Sequence, residues 1–137
     1  MSPHFTLNMP IQWGQTNVFE QVSEALILQW VETGRVELLE ELDLLTFDGE
    51  KPGIILGKTV LTQHHPTLYP DSVRIETSVA EILDDRFILK TEVFSDRHDI
   101  LLCSNLATLV LYDYRQGKKM SISSALAKDL KTYLIRQ

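Results

Sequence analysis

The spacing of hydrophobic and polar positions changes period several times along the chain. Phe5 to Trp13 reads as a first strand with mixed alternation. Gly14 to Asn17 is turn chemistry, because glycine allows unusual backbone angles and asparagine tolerates the left-handed region. Val22 to Leu42 predicts a helix. Its first half is apolar nearly all round, which implies burial on several sides, whereas Glu32, Arg35, Glu37, Glu40 and Glu41 bring its later half to water. Ser23 could cap this helix, although Gln21 or Glu20 could lie nearer its start.

Thr46 to Gly53 carries Asp-Gly and Pro-Gly pairs and reads as a loop. Strand-like runs follow at 54–63, 71–82, 86–95 and 99–112. Val73, Ile75, Thr77 and Val79 alternate with Arg74, Glu76 and Ser78, and Phe87, Leu89, Thr91 and Val93 repeat the pattern. The turns at Asp84-Asp85 and Ser95-Asp96 are short enough for hairpins, so these strands pair antiparallel. The last run, DILLCSNLATLVLYDY, is apolar on both faces. A strand of about 14 residues spans roughly 46 Å. One helix covers one face, so the other face predicts contact with a second subunit. Arg115 to Lys119 is a basic turn, and Ser121 to Ile135 predicts a terminal helix capped by Ser123 or Ser121. The order strand, long buried helix, four antiparallel strands, terminal helix gives an α+β protein in which a curved sheet of about five strands wraps a helix.

Length changes this picture little: 137 residues fit one domain, 1–137. Charge changes it more. A net charge of −6 argues against a nucleic-acid-binding surface. The first ten residues lack the basic start and apolar block of a signal peptide, and no apolar run is long enough to span a bilayer. The single cysteine, Cys103, rules out an intramolecular disulfide and fits a reducing compartment. It lies in an apolar run and reads as a buried thiol. A cytoplasmic location is expected.

The segment Ile11 to Leu39, IQWGQTNVFEQVSEALILQWVETGRVELL, resembles the signature of hotdog-fold acyl-CoA thioesterases of the 4-hydroxybenzoyl-CoA thioesterase type, R-W-G-D-x-D-x-x-G-H-V-N-N-x-x-Y-L-x-Y-F-E-E-A-R. Trp13 and Gly14 match its opening, Val22 matches, and Leu28, Trp30, Glu32, Gly34 and Arg35 follow its helix without a gap. Glu20 and Gln21 replace its Gly-His pair, and Ser23 and Glu24 its two asparagines. His65-Pro66-Thr67-Leu68-Tyr69-Pro70-Asp71 resembles the family's R-P-A-x-Y-G-D element, and Arg115 to Lys119 its D-x-x-T-G-R-P turn.

The resemblance implies a hotdog fold, a homodimer or homotetramer, a coenzyme A thioester as substrate, and neither a cofactor nor a metal. It implies oxyanion donors in Val22 to Glu24, with Val22 and Ser23 as substrate-binding residues and Lys118 and Lys119 against the coenzyme A phosphates. Asn17 falls where the family has its catalytic aspartate. A neutral amide is neither a base nor a nucleophile at useful pH, though it can orient a water or a carbonyl. The base is then sought at Glu24 or Glu20 on the helix start, or at His64 or His65. Each has a plainer reading: Asn17 as a turn residue, Glu24 as a first-turn carboxylate facing the helix dipole, the histidines and lysines as solvated side chains. Two functions compete: a thioesterase with a non-standard site, and a catalytically inactive hotdog protein that binds an acyl thioester or serves in assembly. Dehydration of a thioester ranks below both, because no Asp-His pair stands at the required spacing.

Overall fold

The computed structural model describes residues 5–45 and 53–135. The elements are β1 (Phe5–Pro10), a 3-10 turn (Trp13–Gln15), α1 (Glu24–Glu41), β2 (Gly53–Gln63), β3 (Ser72–Ile82), β4 (Arg86–Ser95), β5 (Leu101–Asp113), β6 (Lys118–Lys119) and α2 (Ser124–Lys131). The expected loop, Thr46 to Gly53, lies outside the described residues except for Gly53, which begins β2. The sheet is antiparallel in the order β1-β3-β4-β5-β2, with the two-residue β6 added to β5. One long helix lies against one face of this curved sheet, which is the hotdog arrangement. No described helix is long and apolar enough to cross a membrane.

Alternation along the strands determines what faces α1. Thr77, Thr91 and Asn105 are cross-strand partners on β3, β4 and β5, and all are buried beneath the helix. Gly34 permits the close approach: a Cβ there would sit 2.7 Å from Thr77 Oγ1 and 2.9 Å from Ile75 Cγ2. The polar row Thr77, Thr91, Asn105 lies between two apolar clusters. One gathers Ile27, Trp30 and Val31 with Val73, Val93 and Cys103; the other gathers Leu38, Leu39 and Leu42 with Val79, Phe87, Leu109 and Leu111. The start of α1 is therefore at the Cys103 end of β5, and its finish is at the Leu111 end.

Several expected boundaries shift for local reasons. The first strand stops at Pro10, and Trp13 enters the 3-10 turn. The β4–β5 connection takes residues 96–100 rather than a two-residue turn, closed by Asp99 N–H to the Ser95 carbonyl at 2.9 Å. The terminal helix ends at Lys131 because the chain turns back to pair with β3. Ile135 donates to the Val79 carbonyl, and Val79 donates to the Tyr133 carbonyl, each at 2.8 Å. This pairs β3 beyond Thr77, where the β1 ladder of the described residues ends at Phe5.

Two expectations of burial meet a different result within one protomer. Leu28 on α1 is exposed, so the helix is not buried all round. On the outer face of the sheet Leu106 and its cross-strand partner Val60 are 46% and 43% exposed. The sequence pattern that implied two covered faces thus describes surfaces that a single chain leaves open.

Candidate active site

The approach to α1 is built around Asn17. Its Oδ1 accepts hydrogen bonds from the N–H groups of Phe19 at 2.8 Å and Gln21 at 3.1 Å. Its own N–H donates to the Gln21 carbonyl at 3.0 Å, and its carbonyl accepts from Glu20 N–H at 2.9 Å. Glu20 takes the left-handed conformation, φ 60°, to complete the loop. A short polar side chain that bonds backbone two residues ahead is what makes asparagine favourable in such turns. The Asn17 carbonyl oxygen is therefore committed to the turn.

The chain next runs alongside 67–69. Val22 donates to the Thr67 carbonyl and Tyr69 donates to the Glu20 carbonyl, both at 2.9 Å. Ser23 is the cap of α1, its Oγ accepting from Leu26 N–H at 3.4 Å. Val22 N–H, one of the donors expected at 22–24, is taken by the Thr67 carbonyl. The N–H groups of Glu24 and Ala25, both exposed, have no hydrogen-bond partner among the described residues. Such orphan donors at a helix start, aided by the peptide dipoles, favour negative charge. The Glu24 carboxylate lies in the same first turn and is exposed.

The histidines separate. The N–H groups of His64 and His65 converge on the Leu102 carbonyl at 2.8 and 3.1 Å, ending β2. The His64 ring lies 3.2 Å from Ser104 Oγ. Ser104 stands between the inward-facing Cys103 and Asn105, so this pair belongs to the face of the sheet opposite α1. His65 instead lines a cavity of about 430 Å³ with Leu68, the residue that bridges to Gln21. Lys118 and Lys119 are not a turn but a strand pair with Asp113 and Tyr112. Ten residues of β5 separate Cys103 from Asp113, roughly 33 Å at strand rise. Within one protomer the lysines thus sit at the far end of the sheet from the start of α1.

Sequence reasoning passed over Thr67. Its side chain is buried, and its Oγ lacks a hydrogen-bond partner among the described residues. No periodic signal marks it, since it lies between Pro66 and Tyr69 in an irregular segment. Cys103 is buried, and burial pushes its thiol up to about 11, so it is a packed thiol rather than a nucleophile. Burial also lowers Arg35, an effect that the nearby Glu32 carboxylate opposes. Among the described residues no three His, Cys, Asp or Glu side chains gather to hold a metal.

Solved structures share this architecture. A structure from Bacillus stearothermophilus described as a predicted thioesterase aligns with a TM-score of 0.84 and 13% identity, covering 98% of each chain. A DHNA-CoA thioesterase of Staphylococcus aureus aligns at 0.76 and 14% identity over 95% of this chain and 88% of its own. A gentisyl-coenzyme A thioesterase aligns at 0.75 and 20% identity over 92% of this chain and 99% of its own. At these identities the likeness concerns the fold. No curated protein matches the sequence. The sequence profile of the thioesterase-like superfamily does match, over residues 11–130. That span runs from the residue after β1, through α1 and strands β2 to β6, into the last turn of α2, and so the chain belongs to the thioesterase-like superfamily.

Proposed function

We propose that the protein is an acyl-CoA thioesterase in which the start of α1 supplies both the oxyanion site and the base. The observation that carries this reading is the pair of unpartnered N–H groups at Glu24 and Ala25 beside the Glu24 carboxylate. Attack on a thioester places negative charge on the carbonyl oxygen, and fixed N–H donors lower that barrier. In this reading Glu24 removes a proton from water as the oxygen attacks the carbonyl carbon. The C–S bond then breaks, and the departing coenzyme A thiolate takes the proton. Asn17 holds the turn, and Ser23 holds the helix start. His65 remains the alternative base on the adjoining segment. His64, on the opposite face, serves this chemistry less well.

Exposed Val60 and Leu106, with Leu28 on α1, support a homo-oligomer in which a second copy covers what one chain leaves open. Lys118 and Lys119 meet coenzyme A phosphates in such an assembly from the second copy. A cytoplasmic location suits an acyl-CoA substrate and the single reduced cysteine.

The commitment of Asn17 Oδ1 to two backbone N–H groups favours a second reading, a protein that binds acyl thioesters without turning them over. Release of coenzyme A thiol across a panel of short, aromatic and long acyl-CoAs separates the two. Turnover by the natural protein, reduced at least 100-fold in Glu24→Gln with unchanged far-UV circular dichroism, is the expected result. Saturable binding in calorimetry with no thiol release, and turnover gained only in Asn17→Asp, would overturn it.

A further inference from the structure

His65 and Leu68 share a cavity with Arg97, His98, Ile100 and Leu102. Its volume, about 430 Å³, lies within the range of small-molecule pockets. Leu68, Ile100 and Leu102 give it apolar walls, and His65, Arg97 and His98 give it a basic rim. The lining includes one carboxylate, Asp71, whose oxygens are already hydrogen-bonded. Asp71 accepts from Ser72 N–H at 2.7 Å and Arg97 N–H at 3.0 Å, and also from the Ser95 hydroxyl. Asp96 and Asp99, on the same hairpin, turn to Arg74 at 3.8 and 4.0 Å. The Arg97 side chain, by contrast, reaches only the Pro70 carbonyl, at 3.4 Å, among the described residues. The rings of His65 and His98 have no hydrogen-bond partner there. The Arg97 guanidinium is thus left with donors to spare beside two imidazoles and an apolar floor.

The rim is also firmly held. Ser95 is fully buried, and its Oγ receives His98 N–H at 3.0 Å while the hydroxyl donates to Asp71. This clip ties the 96–100 loop to the start of β3, so Arg97 and His98 are presented from anchored backbone. We propose that the cavity binds a small apolar molecule bearing a carboxylate, with Arg97 as the chief contact to the anion. Guanidinium matches a carboxylate in two parallel hydrogen bonds, and the apolar walls discriminate against small inorganic anions. The carboxylate comes either from a free acid or from the acid end of an acyl group on coenzyme A. The inference stands apart from the thioesterase reading, because binding is read without turnover.

Benzoate is the probe, with benzyl alcohol as its neutral counterpart, followed through amide resonances in ¹H–¹⁵N spectra. Saturable shifts at His65, Leu68, Arg97 and His98 with benzoate, absent with benzyl alcohol, are expected. Arg97→Met should weaken benzoate at least fivefold, and Arg97→Lys should weaken it less. Equal binding of both probes, equal affinity in Arg97→Met, or no saturable shift at the rim overturns the proposal. Hydrolysis of adipoyl-CoA and hexanoyl-CoA distinguishes the sources. A loss in Arg97→Met confined to adipoyl-CoA identifies the acyl end. Equal rates for the two substrates in wild type and variant, with benzoate still binding at the rim, identify a free acid.

Discussion

Asn17 and Cys103 show how far a single residue's chemistry depends on its surroundings. By resemblance alone, Asn17 stands where a catalytic carboxylate is expected. In the structure it is the organiser of a turn, with each backbone and carbonyl group bonded between residues 17 and 21. Cys103 was readable as a buried thiol from its apolar neighbours, and its burial is complete. Burial disfavours the thiolate, so the folded-state value, about 11, lies above the ordinary one. The folded protein then keeps its proton while the unfolded chain loses it. Stability from this group is fully present below the ordinary thiol value and is lost as pH rises towards 11. Thermal unfolding should therefore show a steeper fall in Tm between pH 9 and 11 for the natural protein than for Cys103→Ala. Iodoacetamide at pH 8 should label Cys103 only after denaturant is added. Prompt labelling of the native protein would sink this account.

The existence and order of α1 and the main strands were legible in the sequence, because periods of 3.6 and 2 follow directly from which side of an element is buried. Ser23 and Ser123 were both legible as caps. Ends set by long-range partners were not. Nothing in residues 121–135 announces that Ile135 will bond to Val79, and so a helix read over 121–135 runs four residues past its end at Lys131. Nor does α1 announce why it carries a glycine in mid-helix. Gly34 costs helix propensity of order 1 kcal/mol but lets α1 sit on the β-branched side chains of Ile75 and Thr77. Those short side chains cannot swing aside. Gly34→Val should destabilise the fold by about 1–3 kcal/mol through overpacking, measured as a lower urea midpoint with unchanged m. A midpoint equal to that of the natural protein would show that the helix has room to move.

On the scale of the whole molecule, open apolar surface is the feature that most needs a partner. The prediction of an oligomer began from β5 being apolar on both faces, and its outer side is indeed open at Leu106 beside Val60. β2 is an edge strand of the sheet, with nothing paired to its far side among the described residues. Exposed strand edges next to apolar side chains are surfaces that proteins ordinarily cover. Light scattering behind size exclusion should report a mass of at least twice 15.7 kDa. Val60→Lys should lower that mass or make it concentration-dependent, with circular dichroism unchanged. A monomer at high micromolar concentration in the natural protein would refute the oligomer.

By itself the sequence determined the α+β class, the element order, the caps and the superfamily resemblance. Each of these is encoded locally, in the alternation of side chains and in turn residues whose backbone preferences are their own. Tertiary structure alone decided which groups share a site. It brought Thr67 to Val22 and Leu68 to Gln21, put His64 on the face away from α1, and carried Lys118 and Lys119 to the far end of β5. It also assembled the basic rim from His65, Arg97 and His98. Those placements depend on strand register and on which carbonyls are left to accept, quantities that arise only when distant segments pair.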